Sequence, residues 1–202
     1  MRSQLIWNRS PDRFSCQFVV VTASSRRNIS VRRLEAVTTI SCGDTEITES
    51  LSLTLDSESE TESLGIAIGK HLQPGMVIGL CGTLGSGKTR LTQAIARGLE
   101  IEQPVVSPTY TICVPYVGRL NLLHMDAYRI EHAEEVDELA LFERVDDGEV
   151  LIIEWADRIE AQLPDIDAWI KMAPTGEDTR SFEAEARSEL GVSWLRRLAA
   201  VF

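Results

Sequence analysis

Hydrophobic and polar positions change their period several times along the chain, and each change predicts an element. Leu51, Leu53 and Leu55 alternate with polar residues, which predicts a half-buried strand that begins near residue 50. Apolar positions then recur at helical spacing, and we expect this helix to stop before Pro74. The apolar run 76–81 predicts a buried strand, and helical spacing returns after it. The folded region therefore starts with the order strand, helix, strand, helix.

The second half of the chain adds two hairpins and one more buried strand. Residues 111–116 and 120–125 are apolar stretches joined by a short polar connection, which predicts a β-hairpin. The run 150–153 predicts a buried strand, and 167–172 with 180–186 predicts a further hairpin, followed by a last helix at 193–201. Because the strands outnumber the helices that could connect them in parallel, we expect a mixed sheet.

Charge separates the beginning of the chain from the rest. The chain has 202 residues and a net charge of −11, but residues 1–45 carry seven arginines against three acids, a net +4, so residues 46–202 carry −15. We interpret residues 1–49 as a disordered extension, a targeting segment or an over-long start, placed before a folded domain at 50–202. The acidic body lacks the basic surface needed for non-specific binding to nucleic acid. Any nucleic acid is therefore expected to be met through a partner.

The cysteines and the hydropathy indicate the cellular setting. Cys16, Cys42, Cys81 and Cys113 are far apart, with no C-x-x-C pair and no histidine at ligand spacing, so neither a zinc site nor a disulfide framework is indicated. No apolar run approaches the roughly 18 residues of a membrane span. A soluble protein of the reducing cytoplasm is the simplest interpretation.

The segment between the buried strand and the next helix carries the main chemical signal. It reads Gly82-Thr83-Leu84-Gly85-Ser86-Gly87-Lys88-Thr89 and matches the phosphate-loop pattern G-x-x-x-x-G-K-[ST] at every fixed position. The glycines let backbone N–H groups close around phosphate oxygens, Lys88 can reach the β- and γ-phosphates, and the Thr89 hydroxyl can ligate Mg²⁺. Arg90, the next residue, joins the nucleotide-binding set. We therefore predict a P-loop NTPase fold of the α/β class, a three-layer α/β/α arrangement with a mixed, mostly parallel sheet.

Two acids, Asp126 and Glu154, each close an apolar strand. Because open α/β sheets bind ligands at the carboxyl ends of their strands, we assign Asp126 to the Mg²⁺ shell together with Thr89. Glu154 is assigned to orient or deprotonate the attacking water, and is kept as a further metal ligand. Lys88, Asp126 and Glu154 are the candidate catalytic residues. For either acid alone, a solvated strand end is the alternative, and His124 is expected to share a strand face with Asp126.

Residues 107–111, Ser-Pro-Thr-Tyr-Thr, stand where many nucleotide switch proteins hold the loop that senses the γ-phosphate. Thr109 is the candidate sensor. The alternative interpretation is a plain turn set up by Pro108. Arg129 is either a cation near the phosphates or the ion-pair partner of the acidic run 131–138.

Five motifs occur in a fixed order along the chain: the phosphate loop, Ser-Pro-Thr-Tyr-Thr at 107–111, Pro-Tyr at 115–116, His-Met-Asp-Ala-Tyr-Arg at 124–129 and Glu-Trp at 154–155. In this combination the chain resembles the bacterial TsaE (YjeE) family over residues 50–200. That family is a small ATPase of the pathway that makes N6-threonylcarbamoyladenosine at position 37 of tRNAs reading codons that begin with A. Thr83, Ser86 and Val114 depart from the usual Asp, Ala and frequent Glu of the family. The first two lie at variable loop positions and should leave phosphate binding intact.

The resemblance implies ATP and Mg²⁺ as cofactors and a role as accessory ATPase to a TsaB–TsaD-like complex that performs the transfer, with tRNA met only through that complex. It also supports Thr109, Asp126 and Glu154 as site residues. Slow turnover of the isolated chain is expected, because no arginine can be placed as the charge-neutralising finger that a partner can supply. The alternatives are a nucleotide-dependent switch or scaffold and a small-molecule phosphoryl transferase. Neither the Asn-Lys-x-Asp motif of guanine readers nor an arginine-rich lid is found.

Overall fold

The structure is a computed structural model that describes the backbone of residues 4–10, 13–21, 34–40, 47–130, 134–137, 140–163 and 165–202. Side chains are described from residue 49 onwards within these ranges, except at positions 134 and 137. The described strands are β1 (Gln4–Ser10), β2 (Arg13–Val21), β3 (Leu34–Ile40), β4 (Ile47–Leu55), β5 (Val77–Cys81), β6 (Cys113–Tyr116), β7 (Leu122–Asp126), β8 (Val150–Glu154), β9 (Ala168–Pro174) and β10 (Arg180–Ala186).

These strands form one mixed sheet in the order β1-β2-β3-β4-β10-β9-β5-β8-β7-β6. Its centre, β9-β5-β8-β7, is parallel, and the other neighbouring pairs are antiparallel. Strands β7 and β8 are buried along their whole length, as expected for parallel strands covered on both faces. The mixed sheet and the two predicted hairpins, β6/β7 and β9/β10, are confirmed.

Helices cover both faces of the sheet. On one face α1 (Glu58–His71), α2 (Lys88–Gly98) and α5 (Glu189–Ala199) share an apolar core with β4, β5, β9 and β10. On the other face, apolar residues of α3 (Glu134–Asp137), α4 (Leu141–Asp146) and the segment around two 3-10 turns (Ala156–Arg158 and Glu160–Gln162) pack against β7 and β8. The predicted α/β/α layering is therefore confirmed.

The last helix begins earlier than the sequence pattern predicted. It starts at Glu189 rather than residue 193, because the Ser188 hydroxyl accepts a hydrogen bond from the backbone N–H of Gly191 at 3.0 Å and caps the first turn. Gly191 looks unfavourable in a helix, but a Cβ there would lie 2.0 Å from the carbonyl oxygen of Asp167. The glycine is needed for close packing of the helix on the sheet.

Close contact between α1 and α2 fixes the helix that follows the phosphate loop. A Cβ on Gly69 would lie 2.2 Å from the carbonyl oxygen of Ile95 and 2.9 Å from the Cα of Gly98. A Cβ on Gly65 would lie 2.4 Å from the Cβ of Ala94. The two helices therefore touch backbone to backbone, and α1 holds α2, with Lys88 and Thr89 in its first turn, against the sheet.

Strands β1, β2 and β3 extend the antiparallel edge beyond β4. The predicted domain boundary near residue 50 falls within β4. Part of the segment before β4 lies outside the described residues, and its interpretation as an extension, a targeting segment or an over-long start stays a prediction. Within the described ranges, no helix has the length and apolar character needed to cross a membrane.

Candidate functional site

The phosphate loop connects the carboxyl end of β5 to the start of α2. Gly82, Gly85 and Gly87 have φ values of +142°, +77° and +101°, a region that residues with a side chain rarely adopt. A Cβ on Gly82 would also lie 2.2 Å from the carbonyl oxygen of Met172 on β9. The backbone path of the loop therefore depends on glycine at these positions.

Lys88 is enclosed by the loop and by an indole ring. Its Nζ donates to the carbonyl oxygens of Gly82 at 2.7 Å and Thr83 at 3.0 Å, and it lies 3.7 Å from the ring centroid of Trp155. Burial lowers the pKa of Lys88, and the nearby carboxylates, led by Glu154, act in the opposite direction. The ammonium group therefore lies inside the loop, with carbonyl oxygens as its partners.

Glu154 ends β8, the strand between β5 and β7, and its side chain is buried. Its Oε2 accepts a hydrogen bond from the Thr89 hydroxyl at 2.8 Å. Its Oε1 lies 2.8 Å from Nε2 of His124, which is fully buried, and we place the imidazole proton on Nε2 because a carboxylate only accepts. His124 and Asp126 share one face of β7, as the sequence predicted, and the register sets Asp126 opposite Glu154, so His124 reaches diagonally to Glu154 on that face. Glu154 thus contacts both Thr89, at the end of the phosphate loop, and His124 on β7.

Asp126 ends β7 next to Glu154 and has a different set of partners. Its Oδ2 accepts hydrogen bonds from the hydroxyls of Thr109 at 2.7 Å and Ser107 at 3.4 Å, while Oδ1 accepts from the backbone N–H of Tyr128 at 2.8 Å. A turn around the carbonyl of Pro108 is present as well. The turn predicted at Pro108 and the placement of Thr109 at the site are therefore compatible, because the turn brings the Thr109 hydroxyl to the Asp126 carboxylate.

The arginines near the two carboxylates in sequence both stack on tyrosines. Arg129 lies 5.0 Å from the ring centroid of Tyr110, and Arg158 lies 5.3 Å from that of Tyr128. The alternative partners of Arg129, in the acidic run 131–138, lie partly outside the described residues. Arg90 is exposed on the first turn of α2 and forms an ion pair with Glu58 of α1.

Reasoning from motif spacing missed contacts that complete the site. Trp155 covers Lys88 because the residue after Glu154 takes a left-handed conformation, with φ of +58°, and turns the ring back over the loop. Ser107 adds a second hydroxyl beside Asp126. The sequence signal for Trp155 was an aromatic residue directly after the acid at a strand end; for Ser107 it was the hydroxyl two positions before Thr109.

The oxygen donors at this edge of the sheet fit Mg²⁺. The Thr89 hydroxyl and the Glu154 carboxylate are in contact, and the Asp126 carboxylate follows on the adjacent strand. Both carboxylates are buried, and Mg²⁺ prefers such hard oxygen ligands. Among the described side chains, no group of three or more His, Cys, Asp or Glu residues forms a metal cluster. A phosphate-loop site does not require one, because phosphates and water complete the shell.

A parallel strand that ends in this glycine loop, a lysine enclosed within it, and buried acids at the ends of the two next strands define a P-loop NTPase. The chain belongs to the TsaE family: the family model described as "Threonylcarbamoyl adenosine biosynthesis protein TsaE" matches residues 55–182. This confirms the resemblance found in the motifs, and the family takes part in tRNA threonylcarbamoyladenosine biosynthesis.

Individual relatives agree with the family match. The chain is 35% identical over 124 residues to the tRNA threonylcarbamoyladenosine biosynthesis protein TsaE of Treponema pallidum, covering 61% of this chain and 92% of that protein. It is 41% identical over 122 residues to TsaE of Bacillus subtilis, covering 60% and 76% of the two chains. The crystal structure of Bacillus subtilis YdiB superimposes with a TM-score of 0.66 at 29% identity, covering 77% of this chain and 97% of that one. The P-loop NTPase fold is therefore confirmed.

Proposed function

We propose that the protein is a Mg²⁺-dependent ATP hydrolase that supports formation of N6-threonylcarbamoyladenosine at position 37 of tRNAs, acting in the cytoplasm with a TsaB–TsaD-like complex. The observation that carries this proposal is the pair of adjacent buried carboxylates, with Glu154 bonded to the Thr89 hydroxyl and Asp126 bonded to the Thr109 hydroxyl. One acid thus lies beside the phosphate-loop threonine, and the other lies beside the candidate γ-phosphate sensor. The names of the relatives supply the pathway.

The contacts favour roles for Asp126 and Glu154 that differ from those assigned from the sequence pattern. The sequence pattern assigns Asp126 to the metal shell, and Glu154 to the attacking water with a further role as metal ligand. Because Glu154 is the acid that touches Thr89, it is the better candidate to hold Mg²⁺ with that hydroxyl, and Asp126 is the better candidate to orient or deprotonate water. When bound, Mg²⁺ would neutralise negative charge on the β- and γ-phosphate oxygens.

Lys88 and the loop amides are proposed to hold the phosphates. In the nucleotide-bound state the Lys88 ammonium exchanges its two carbonyl partners, on Gly82 and Thr83, for phosphate oxygens. Trp155 keeps water away from this group on one side. Thr109 is proposed to follow the γ-phosphate through its contact with Asp126.

A partner protein is proposed to complete the site. Arg129 and Arg158 are engaged with tyrosine rings, so neither side chain points freely toward the loop. Large apolar side chains are exposed on the segments around the phosphate loop and Thr109, with Leu84 87% exposed and Tyr110 86% exposed. Such side chains are suited to burial against another protein that also brings a cation to the phosphates. Because residues 46–202 carry a net charge of −15, tRNA is proposed to be met through the partner complex and not bound directly.

The test is single-turnover ATP hydrolysis with and without the partner complex, beside a separate binding measurement. Asp126→Asn should bind ATP like the wild type and hydrolyse it roughly 10²–10⁴-fold more slowly, the usual size of a lost general base. Lys88→Ala should lose ATP binding, while Asp146→Asn, an exposed acid on α4, serves as the matched control. Unchanged hydrolysis in Asp126→Asn would remove the hydrolytic assignment. Unchanged wild-type hydrolysis on adding the complex would remove the partner-completed site.

The pathway is tested in cells. Depletion of the protein should lower the N6-threonylcarbamoyladenosine content of tRNA, measured by nucleoside mass spectrometry. Wild-type protein should restore the modification, and Lys88→Ala should not. Restoration by Lys88→Ala would show that the pathway does not need nucleotide at this loop.

A further inference from the structure

The segment between α2 and β6 carries the candidate sensor Thr109 but has little backbone support in front of it. Within the described part of the chain, no backbone group of residues 102–107 is hydrogen-bonded to another backbone group. Backbone hydrogen bonds resume only at the turn that closes on the carbonyl oxygen of Pro108. The stretch that leads into Thr109 therefore depends on side chains for its position.

Two side chains hold this stretch, one from a helix and one from the sheet. Nε2 of Gln93 on α2 donates to the carbonyl oxygen of Val105 at 2.9 Å. The backbone N–H of Val106 donates to the hydroxyl oxygen of Tyr116, the last residue of β6, at 3.2 Å. The carbonyl of Val105 and the N–H of Val106 belong to one planar peptide unit. That peptide is therefore held from both sides.

Both side chains start from well-packed parts of the fold. The ring of Tyr116, from the Pro-Tyr motif at 115–116, is buried in the core that the sheet shares with α1 and α2. Gln93 lies one turn beyond Thr89 on the same face of α2. Thr89 contacts Glu154 from that face. One helix thus holds both the end of the phosphate loop and the segment that precedes Thr109.

We propose that Tyr116 and Gln93 are positioning residues for ATP hydrolysis, which hold the Val105–Val106 peptide so that the Thr109 hydroxyl reaches Asp126; this rests on the proposed function. Thr109 lies three positions after Val106, and its hydroxyl contacts Oδ2 of Asp126 at 2.7 Å. Three residues of chain span up to roughly 10 Å, whereas a hydrogen bond is lost within about 1 Å of displacement. Release of the peptide therefore misplaces the hydroxyl without changing the phosphate loop.

Single substitutions can remove each contact and leave the packing intact. Tyr116→Phe keeps the buried ring and removes only the hydroxyl; because Val106 is 58% exposed, water can bond to the freed N–H. Gln93→Met keeps the side-chain length and the helix propensity but removes the donor, and Gln93→Lys restores an N–H donor. Gln103→Met is the matched control, the same substitution at an exposed glutamine of the same segment.

The experiment measures single-turnover hydrolysis at saturating Mg·ATP with the partner complex, beside ATP binding by calorimetry. Tyr116→Phe and Gln93→Met should each slow hydrolysis roughly threefold to tenfold, with ATP affinity within about twofold of the wild type, because the contacts act on the sensor and not on the phosphate loop. Gln93→Lys should recover the rate, and Gln103→Met should match the wild type. Unfolding midpoints check that the variants remain folded.

A double variant tests whether Tyr116 acts through the sensor. In a Thr109→Val background, Tyr116→Phe should slow hydrolysis by less than about twofold more, because a hydroxyl that has been removed cannot be misplaced. If the two losses multiply instead, Tyr116 acts on something other than Thr109, and the proposal is wrong.

The remaining outcomes separate this inference from the function beneath it. If Asp126→Asn is slow but Tyr116→Phe and Gln93→Met hydrolyse ATP at the wild-type rate, the positioning role is wrong and the hydrolytic site stands. Weaker ATP binding with an unchanged single-turnover rate would also overturn it. If the wild type does not hydrolyse ATP, or Asp126→Asn is as fast as the wild type, the proposed function itself fails, and this inference fails with it.

Discussion

The buried contact between His124 and Glu154 leads to a prediction about metal dependence. Replacing His124 by alanine removes the group that lies 2.8 Å from Oε1 of Glu154, in a place where neither side chain is more than 3% exposed. Glu154 keeps its bond to Thr89, but one carboxylate oxygen loses its partner. His124→Gln keeps an N–H donor on a shorter and more flexible side chain, and is the conservative comparison.

The expected changes in stability and in Mg²⁺ affinity follow from these contacts. An unpaired buried acceptor costs about 1–3 kcal/mol, so the free energy of unfolding should fall by about that amount, with a further loss from the cavity left by the ring. Residues that orient a metal ligand contribute roughly 10–100-fold to metal affinity. The Mg²⁺ concentration for half-maximal ATP hydrolysis should therefore rise by about that factor in His124→Ala, and His124→Gln should recover part of it.

Two measurements distinguish whether His124 positions Glu154 or only fills space. Chemical denaturation without Mg²⁺ reports stability, and hydrolysis at saturating ATP over a Mg²⁺ series reports the metal site. If His124→Ala is destabilised but keeps the wild-type Mg²⁺ dependence, the histidine only fills space and Glu154 does not depend on it for metal binding. If His124→Gln behaves like His124→Ala in the Mg²⁺ series, the lost donor is not the cause.

Three further predictions concern the helix contact, the sensor loop and the half-buried thiol of Cys81. Gly69→Ala places a Cβ 2.2 Å from the carbonyl oxygen of Ile95 and should lower the free energy of unfolding by about 1–3 kcal/mol, measured by denaturant titration; an unchanged midpoint would contradict the close helix contact. Thr109→Val removes the hydroxyl bonded to Asp126, so it should slow hydrolysis about tenfold or more while the affinity for ATP stays within twofold of the wild type. Thr111→Val is the control and should have no effect. Equal hydrolysis rates for the two variants would remove the sensor role. Burial raises the pKa of Cys81 to about 12, so its thiolate becomes tenfold scarcer with each pH unit below that value, and alkylation at pH 8, followed by peptide mass spectrometry, should be far slower than in urea. Equal alkylation rates in the folded and unfolded chain would show that Cys81 is accessible.

The parts of the structure that the sequence could predict are those encoded within a short stretch. The phosphate loop follows from eight consecutive residues, because glycine positions and the Lys-Thr pair specify a backbone path directly. The hairpins and most helices follow from local periodicity and turn residues. The start of the last helix was missed because Gly191 is selected by a contact with Asp167, which local pattern does not contain.

The assignment of the two acids depends on strand order, which the sequence does not state. Asp126 and Glu154 each close an apolar strand, so they are equivalent in sequence. The sheet places β8, and not β7, next to β5, and therefore brings Glu154 to Thr89. The partner of His124 follows from the same register.

The phosphate loop and the segment around Thr109 differ in how firmly the surrounding residues hold them. Under the proposed function, this difference bears on how a partner acts. Lys88 and Thr89 have internal partners within the loop and on Glu154, so nucleotide binding exchanges existing contacts at an enclosed site. Thr109 instead lies in a segment with an exposed ring beside it, at Tyr110, and its hydroxyl contacts Ser107 and Asp126. A protein that covers this segment can change the position of the Thr109 hydroxyl relative to Asp126 without contacting the loop. Partner binding is therefore expected to change the rate of hydrolysis more than the affinity for ATP.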